Sequence, residues 1–476
     1  MASPITASSA IDVQGMVAGL MRAERKPLDQ MKAEASRIDT KISAYGKLQS
    51  QVAAFRDAAA ALGRFDTWRG VKASSADATA VEVSANAGAP AGQYSVSVQQ
   101  LAQAQTVTSA SFAAADAVVG GGTLRIQMGS QPSGSTSFTA DATRPEVAVT
   151  VADGATLADV RDAINAAGAG VRASIVRDGD QVRLFLSGSD SGGNQAFRTT
   201  VTDLDGSTAD SAGLSRLGYD PTAVGAGQRL SLVRSATDAQ YTLNGVALTA
   251  RSNRIAGAMD GTDLVLKRVT TTPVQVDVSV DVEALRGTTQ KFVDAYNALN
   301  KLLAEQTRYD EATKTAGALQ GDRSAVGMLS QIRSIVRETV TGGTFTRLAD
   351  VGLALQRDGS LALSASTFTS AATDPRRLEA LFAASGASTT ATDRGLALRI
   401  RDLGDRLVGT GGTVDTATAA WTARKTANQK RQDAFEVRMT DVEKRLLRQY
   451  SSLDSQLAAA QQTNAALTSA LAGLPK

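Results

Sequence analysis

The chain has 476 residues, 43% of them hydrophobic, and its 50 Lys and Arg against 47 Asp and Glu leave a formal net charge of +3. That length suits roughly two to four domains, and so weak and evenly scattered a charge excludes binding to nucleic acid or anionic lipid by charge alone. There is no cysteine and no histidine, which excludes a thiol nucleophile, a Ser/His/Asp triad, a Cys or His zinc site and imidazole acid–base chemistry near neutral pH.

No window approaches the roughly 18 consecutive apolar residues of a membrane span. The start MASPITASSA lacks the basic-then-apolar profile of a secretory signal. Neither membrane insertion nor signal-peptide secretion is therefore expected. A cysteine-free chain suits passage unfolded through a narrow conduit, and it suits a reducing compartment equally.

In chain order, Asp12 is placed to N-cap a first helix, VQGMVAGLMRAERK, which Pro27 ends or kinks. A second helix follows from about Leu28 to Leu62. Its apolar residues Leu28, Met31, Ala35, Ile38, Ile42 and Tyr45, then Leu48, Val52, Phe55, Ala59 and Leu62, fall three and four residues apart. That is a heptad seam, with a stammer where two steps of three meet at Tyr45. A stripe so narrow is buried only against another helix.

After GRFDTWRG the period changes to two, in AVEVSA and QYSVSVQQL, with Gly88, Pro90 and Gly92 between them. From about residue 111 to 280 the chain is rich in Gly, Ser, Thr and Asp. Its strand candidates are TLRIQM, VAVTV, RASIVR, QVRLFLS, RLSLVR, QYTLNGVAL, TDLVLKRV and VQVDVSV. Turns such as Arg177-Asp178-Gly179-Asp180 and Asn244-Gly245 separate them. One short helix, TLADVRDAINAAG, is capped by Thr156 and closed by Gly168.

Helical periodicity returns at VEALRGTTQKFVDAYNALNKLLAEQ and runs through DRSAVGMLSQIRSIVRETV, a β-like ADVGLALQRDGSLALSASTF and RRLEALFAAS. The last long helix spans about Asp415 to Leu471. Its seam reads Phe435, Met439, Val442, Leu446, Tyr450, Leu453, Leu457, Ala460, Asn464, Leu467 and Leu471, with a stutter at Leu446 to Tyr450. This helix is the expected partner of the first seam; the alternative is two amphipathic helices packing separately on the body. Asn464 would weaken packing near the tip and could restrict register. Trp68 and Trp421 are expected in the core where the stalk joins the rest of the chain, with a partner-binding role as the alternative.

The elements predict an α+β chain, with a discontinuous helical coiled-coil stalk made from both chain ends and β-rich head domains inserted between them. The expected divisions are N-terminal stalk helices over 1–70, a proximal head in two parts over 71–110 and 222–282, and a distal β-rich head over 111–221. A helical leg domain over 283–412 and a C-terminal coiled-coil stalk over 413–476 complete the chain.

Candidates for chemistry are few. The acidic stretches RDGDQ and TDLDGSTAD read as turns, and Asp203, Asp205 and Asp210 do not follow EF-hand spacing. GAGVRAS and GAGQRL fail the GxGxxG pattern, because Ala173 and Leu230 stand where the third glycine belongs. No catalytic, cofactor-binding or metal-ligating residue is expected. The candidate functional residues are those of the two seams.

The strings IDVQGMVAGLMRAERKPLDQM, KISAYGKLQSQVAAFRDA, KFVDAYNALNKLL and EKRLLRQYSSLDSQLAA, in that order, resemble the bacterial flagellar filament cap, or hook-associated protein 2, family. TLADVRDAINAAGAGVRASIVRDGDQVRLFLSGSDSGGNQAF resembles the βαββ insertion motif that flagellins and hook-associated proteins share. The resemblance covers nearly the whole chain and implies a non-enzymatic homo-oligomeric ring at the filament tip, without cofactors, whose heads form a plate and whose stalks grip the filament. It implies flagellin as the partner, export by the flagellar type III apparatus and a cytoplasmic chaperone on the C-terminal helix. A secreted adhesin binding host mucin or glycans through its head is the alternative.

Overall fold

The computed structural model describes residues 12–472, apart from 133, 205, 207–209, 224–227, 313 and 390. The chain divides into two compact units. One is drawn from Met1–Trp68 and Val282–Lys476, and the other is Arg69–Asp281. The first is helical and the second β-rich, so the fold is α+β with a discontinuous helical unit.

In the helical unit, α1 (Val13–Glu24) is capped by Asp12, whose carboxylate accepts from the Gly15 amide at 2.8 Å. A Cβ on Gly15 would stand 2.1 Å from that carboxylate, so the cap requires the bare glycine. After Arg25, which keeps helical dihedrals, α2 (Lys26–Leu62) begins with Pro27 in its first turn. There the missing amide costs nothing, so Pro27 starts a helix rather than bending one. The short α3 (Phe65–Trp68) buries Trp68, which stacks on Phe382 at 5.0 Å and donates from Nε1 to the Leu62 carbonyl at 2.7 Å.

The β-rich unit begins with β1 (Val71–Ser75), β2 (Val81–Ala85), β3 (Gly92–Gln100) and β4 (Thr106–Thr108). Then come β5 (Gly122–Ser130), β6 (Thr139–Ala140), β7 (Val147–Val151), α4 (Leu157–Ala166), β8 (Val171–Asp178), β9 (Gln181–Gly188) and β10 (Ala196–Asp203). It closes with β11 (Ser231–Arg234), β12 (Ala239–Leu243), β13 (Val246–Ala250), β14 (Arg254–Met259), β15 (Thr262–Leu266) and β16 (Val274–Val280). The strand pairs are antiparallel.

Two cores form within this unit. A five-stranded sheet, β1-β16-β3-β12-β13, and a three-stranded one, β14-β15-β2, enclose Val81, Val96, Val98, Leu264 and Val276. The sheets β11-β4-β9-β8 and β10-β5-β6, with β7 on β5, enclose Val107, Leu124, Ile126, Leu184, Leu186 and Phe197 under α4. Residues 106–110 and 222–234 are expected in the proximal head, yet β4 and β11 pair into the distal sheet. The boundary therefore falls nearer 104 and 235, because β4 lies between β9 and β11.

Strand β10 lies outside the strand candidates of the sequence. Its inward positions include Thr199 and Asp203, polar residues that hide the alternation. Both are buried and satisfied: Thr199 Oγ1 donates to the Leu217 carbonyl at 2.8 Å, and Asp203 accepts from the Leu204 and Ser215 amides at 2.8 and 3.0 Å. The Asn244-Gly245 hairpin forms as expected, with φ of 51° and 84° joining β12 to β13. Helix α4 has the full capping box, Thr156 and Asp159 each bonding the other's backbone amide.

The chain returns to the helical unit in α5 (Val282–Thr307), followed by the small hairpin β17 (Tyr309–Asp310) and β18 (Thr315–Ala316). Next are α6 (Arg323–Ile335), the hairpin β19 (Leu353–Leu355) and β20 (Leu361–Leu363), α7 (Ala365–Ala371), α8 (Pro375–Ala383) and α9 (Leu396–Val408). α10 (Thr413–Ala472) is the last helix. The upper half of α2 packs against α5 and α9. Phe55 meets Phe292 at 5.4 Å and Tyr296 at 5.7 Å between ring centroids. A Cβ on Gly404 would lie 2.6 Å from the Arg56 Cβ, so glycine lets α9 approach α2 closely. The leg set apart at 283–412 thus shares one unit with both chain ends, because α2 continues from its contact with α10 into this bundle.

Candidate functional site: the paired chain ends

α10 is a single helix of 60 residues, about 90 Å long at 1.5 Å per residue. It lies against α2 and α1. Lys425 Nζ reaches Asp39 at 2.6 Å, Lys32 Nζ reaches Glu436 at 3.9 Å and Arg25 reaches Glu443 at 3.6 Å. As residue numbers rise along α10 they fall along α2, so the two helices run antiparallel. These ion pairs are half exposed, which holds each to about 0–1 kcal/mol. They mark the register more than they stabilise it.

The first seam lies where its spacing points, but it changes partner along its length. Leu28, Ile38 and Tyr45 are buried, while Met31 and Ile42 are half-buried. Below Tyr45 the seam faces α10; above it, Leu48, Val52 and Phe55 are buried in the bundle with α5 and α9. Tyr45 is fully buried at the changeover, and its hydroxyl donates to Asp322 Oδ1 at 2.7 Å. Asp322 also caps α6 by accepting from the Ser324 and Ala325 amides. Burial first, then the bond to Asp322, pushes the Tyr45 phenol above its ordinary range.

The second seam is split. Met439 is buried against Val17 and Met21 of α1, with Val13, Phe435, Val442, Leu446, Leu447 and Tyr450 around them. The apolar stretch of α10 therefore covers α1 rather than the α2 seam. Leu453, Leu457 and Leu467 are 44%, 37% and 56% exposed, and Asn464 is exposed as well. The expectation that these positions are buried fails in the single chain for a reason of register. Val13, at the start of α1, already lies in the cluster with Tyr450, so the described part of the amino-terminal arm is used up before Leu453.

Opposite the α2 seam stand polar residues outside the expected seam of α10. Asn428 and Gln432 are 1% and 7% exposed; Gln432 Nε2 donates to Asn428 Oδ1 at 2.7 Å and to the Met31 carbonyl at 3.3 Å. The signal was present. Stepping back from Phe435 by three and four residues reaches Gln432, Asn428, Lys425 and Trp421, but polar residues do not register as a seam. Trp421 is half-buried, with Lys41 Nζ 4.3 Å and the Arg424 guanidinium 4.5 Å from its ring centroid. It sits in a cation–π setting rather than in a core.

The acidic stretches of the β-rich unit have structural partners. Asp178 ends β8 and accepts from Arg183 Nε at 2.7 Å, Asp203 is bonded as described, and Asp210 accepts from the Ala212 amide. Asp205 lies outside the described residues. Among the described residues no group of three or more His, Cys, Asp or Glu side chains is arranged to hold a metal, and no helix is long and apolar enough to cross a membrane.

The class these elements define is an α+β protein with a helical unit built from both chain ends and a β-rich insertion. The family models of the flagellar hook-associated protein 2 N-terminus and C-terminus match residues 9–105 and 236–462, and the flagellin hook IN motif matches residues 133–190, the region of β7, α4, β8 and β9. The A-type flagellar hook-associated protein 2 of Pseudomonas aeruginosa is 28% identical over 98% of this chain and 97% of its own length. Flagellar hook-associated protein 2 of Escherichia coli K12 is 29% identical over 78% of this chain and 77% of its own length. The solved D1-D2-D3 domains of the Escherichia coli flagellar cap protein FliD superpose with a TM-score of 0.62 at 29% identity, covering 80% of this chain and 99% of that one. The chain belongs to the flagellar hook-associated protein 2 family.

Proposed function

We propose that this protein caps the tip of a bacterial flagellar filament as a ring of identical subunits. It retains flagellin arriving through the filament and promotes its ordered insertion, so that filament growth and motility depend on it. The protein acts by holding and releasing protein surfaces and not as an enzyme. It reaches the tip through the flagellar type III export apparatus, escorted in the cytoplasm by a chaperone. The observation that carries the proposal is similarity along 98% of the chain to a flagellar hook-associated protein 2. The helical unit built from both chain ends fits a part that must pack against a helical filament.

Complementation tests this. A strain lacking the chromosomal copy should shed unpolymerised flagellin and fail to swim, and expression of the full chain should restore filaments. Normal filaments in the deletion strain would refute the cap role.

A further inference from the structure

Among the described side chains of α10, those buried are Val414, Asn428, Gln432 and Met439. Val414 lies at the bundle end and Met439 in the α1 cluster. Between them the heptad track runs Trp421, Lys425, Asn428, Gln432 and Phe435, and its three polar members, Lys425, Asn428 and Gln432, lie along the stretch of α2 from Met31 to Asp39, whose seam residues are Met31, Ala35 and Ile38. A polar seam against an apolar one is a mismatch, and its energetics follow from its bonds.

We propose that Lys425–Gln432 is a compliant joint, at which α10 and α2 part locally while the bundle above and the α1 cluster below stay closed. The bond between Gln432 and Asn428 joins residues four apart on one helix, so it survives separation. The bond that crosses the interface is the one from Gln432 to the Met31 carbonyl, at 3.3 Å. Met31 lies inside α2, where its carbonyl already serves the helix ladder. The flanking pairs Lys425–Asp39 and Lys32–Glu436 are half exposed and keep much of their hydration when apart. On opening, both buried amides gain water, which offsets much of the apolar area that Ile38 and Leu28 expose. The bundle gains less from opening, since Phe55 and Phe292 are fully packed and its buried polar groups are bonded between elements, the Tyr296 hydroxyl donating to the Gly359 carbonyl at 2.9 Å and Asn300 Oδ1 accepting from Arg333 Nε at 2.8 Å.

Hydrogen–deuterium exchange on the full chain tests the joint. Peptides from 28–42 and 420–434 should exchange about ten-fold or more faster than bundle peptides from 285–303, as local opening predicts. In Asn428→Leu/Gln432→Leu, peptides from 28–42 should slow by about ten-fold while 285–303 stay unchanged. The readout on α2 matters because α2 carries no substitution, so a change in α10 helix propensity does not move it. Equal protection of 28–42 and 285–303 in the unaltered chain, or a double variant that leaves 28–42 as fast as before, overturns the proposal. If the double variant is insoluble, Gln432→Leu alone removes the crossing bond and is judged by the same two outcomes.

Discussion

Asn297, Asn165, Asn253 and Gln105 perform one task in different places. Each carboxamide exchanges two hydrogen bonds with the backbone of a single residue: Asn297 with Leu361, Asn165 with Ala173, Asn253 with Ala102 and Gln105 with Phe197. A side chain thus stands in for a neighbouring strand and satisfies the exposed rim of β20 or β8. Asn297→Ala leaves the Leu361 amide and carbonyl without these partners and should destabilise the helical unit by about 1–3 kcal/mol in urea titrations followed by circular dichroism. Charge acts at the same scale. Bonds from the Thr143 hydroxyl and amide, then from Arg144, hold the Asp141 carboxyl down to about 2, and the same kind of local bond lowers Asp159, Asp350 and Asp358. A carboxyl lowered by folding contributes stability above its unfolded value, and that contribution is lost as pH falls through the folded one. The raised Tyr45 phenol works at the other end, its contribution present below its unfolded value and lost as pH rises through the folded one. With no histidine, the melting temperature should be flat from about pH 5.5 to 8 and fall below about pH 4 and above about pH 10. A titration step near pH 6.5 in the melting curve would contradict this.

At the scale of elements, α10 is held unevenly, and substitutions along it should show that. Met439→Ala removes the buried side chain on which Val17 and Met21 close and should cost about 2 kcal/mol, the low end for a buried methionine, because the cluster is small. Its readout is tryptic cleavage at Arg22 and Arg25, which should quicken as α1 loosens. Leu457→Ala, on a seam position that is 37% exposed, should stay within about 0.5 kcal/mol and leave that cleavage unchanged. Equal effects from the two would mean that the seam is buried along its whole length in the isolated chain.

For the whole molecule, the decisive feature is that the helical and β-rich units each have their own buried core. Phe55→Ala should cost the helical unit about 3–5 kcal/mol. In calorimetry the transition of the helical unit should fall while that of the β-rich unit keeps its temperature, since distant sites without shared partners behave independently. A single transition that moves as one would show that the units melt together.

What the sequence determined by itself is what local chemistry decides: the existence of the long helices, the change of period after Trp68, the capping box at Thr156, the Asn244-Gly245 hairpin and the order of elements that marks the family. Each depends on residues within a few positions of one another, so spacing and turn chemistry suffice. Only the tertiary structure decided what each buried stripe meets. The α2 seam has one unbroken apolar pattern, yet it leaves α10 for the α5–α9 bundle at Tyr45. The apolar stretch from Phe435 to Tyr450 goes to α1, and the α2 seam receives Asn428 and Gln432 instead. β4 pairs with β9 and β11, both far from it in sequence. Periodicity states which face of an element avoids water, whereas the identity of its partner is a choice among distant segments, settled by register, chain length and the fit of side chains at the contact.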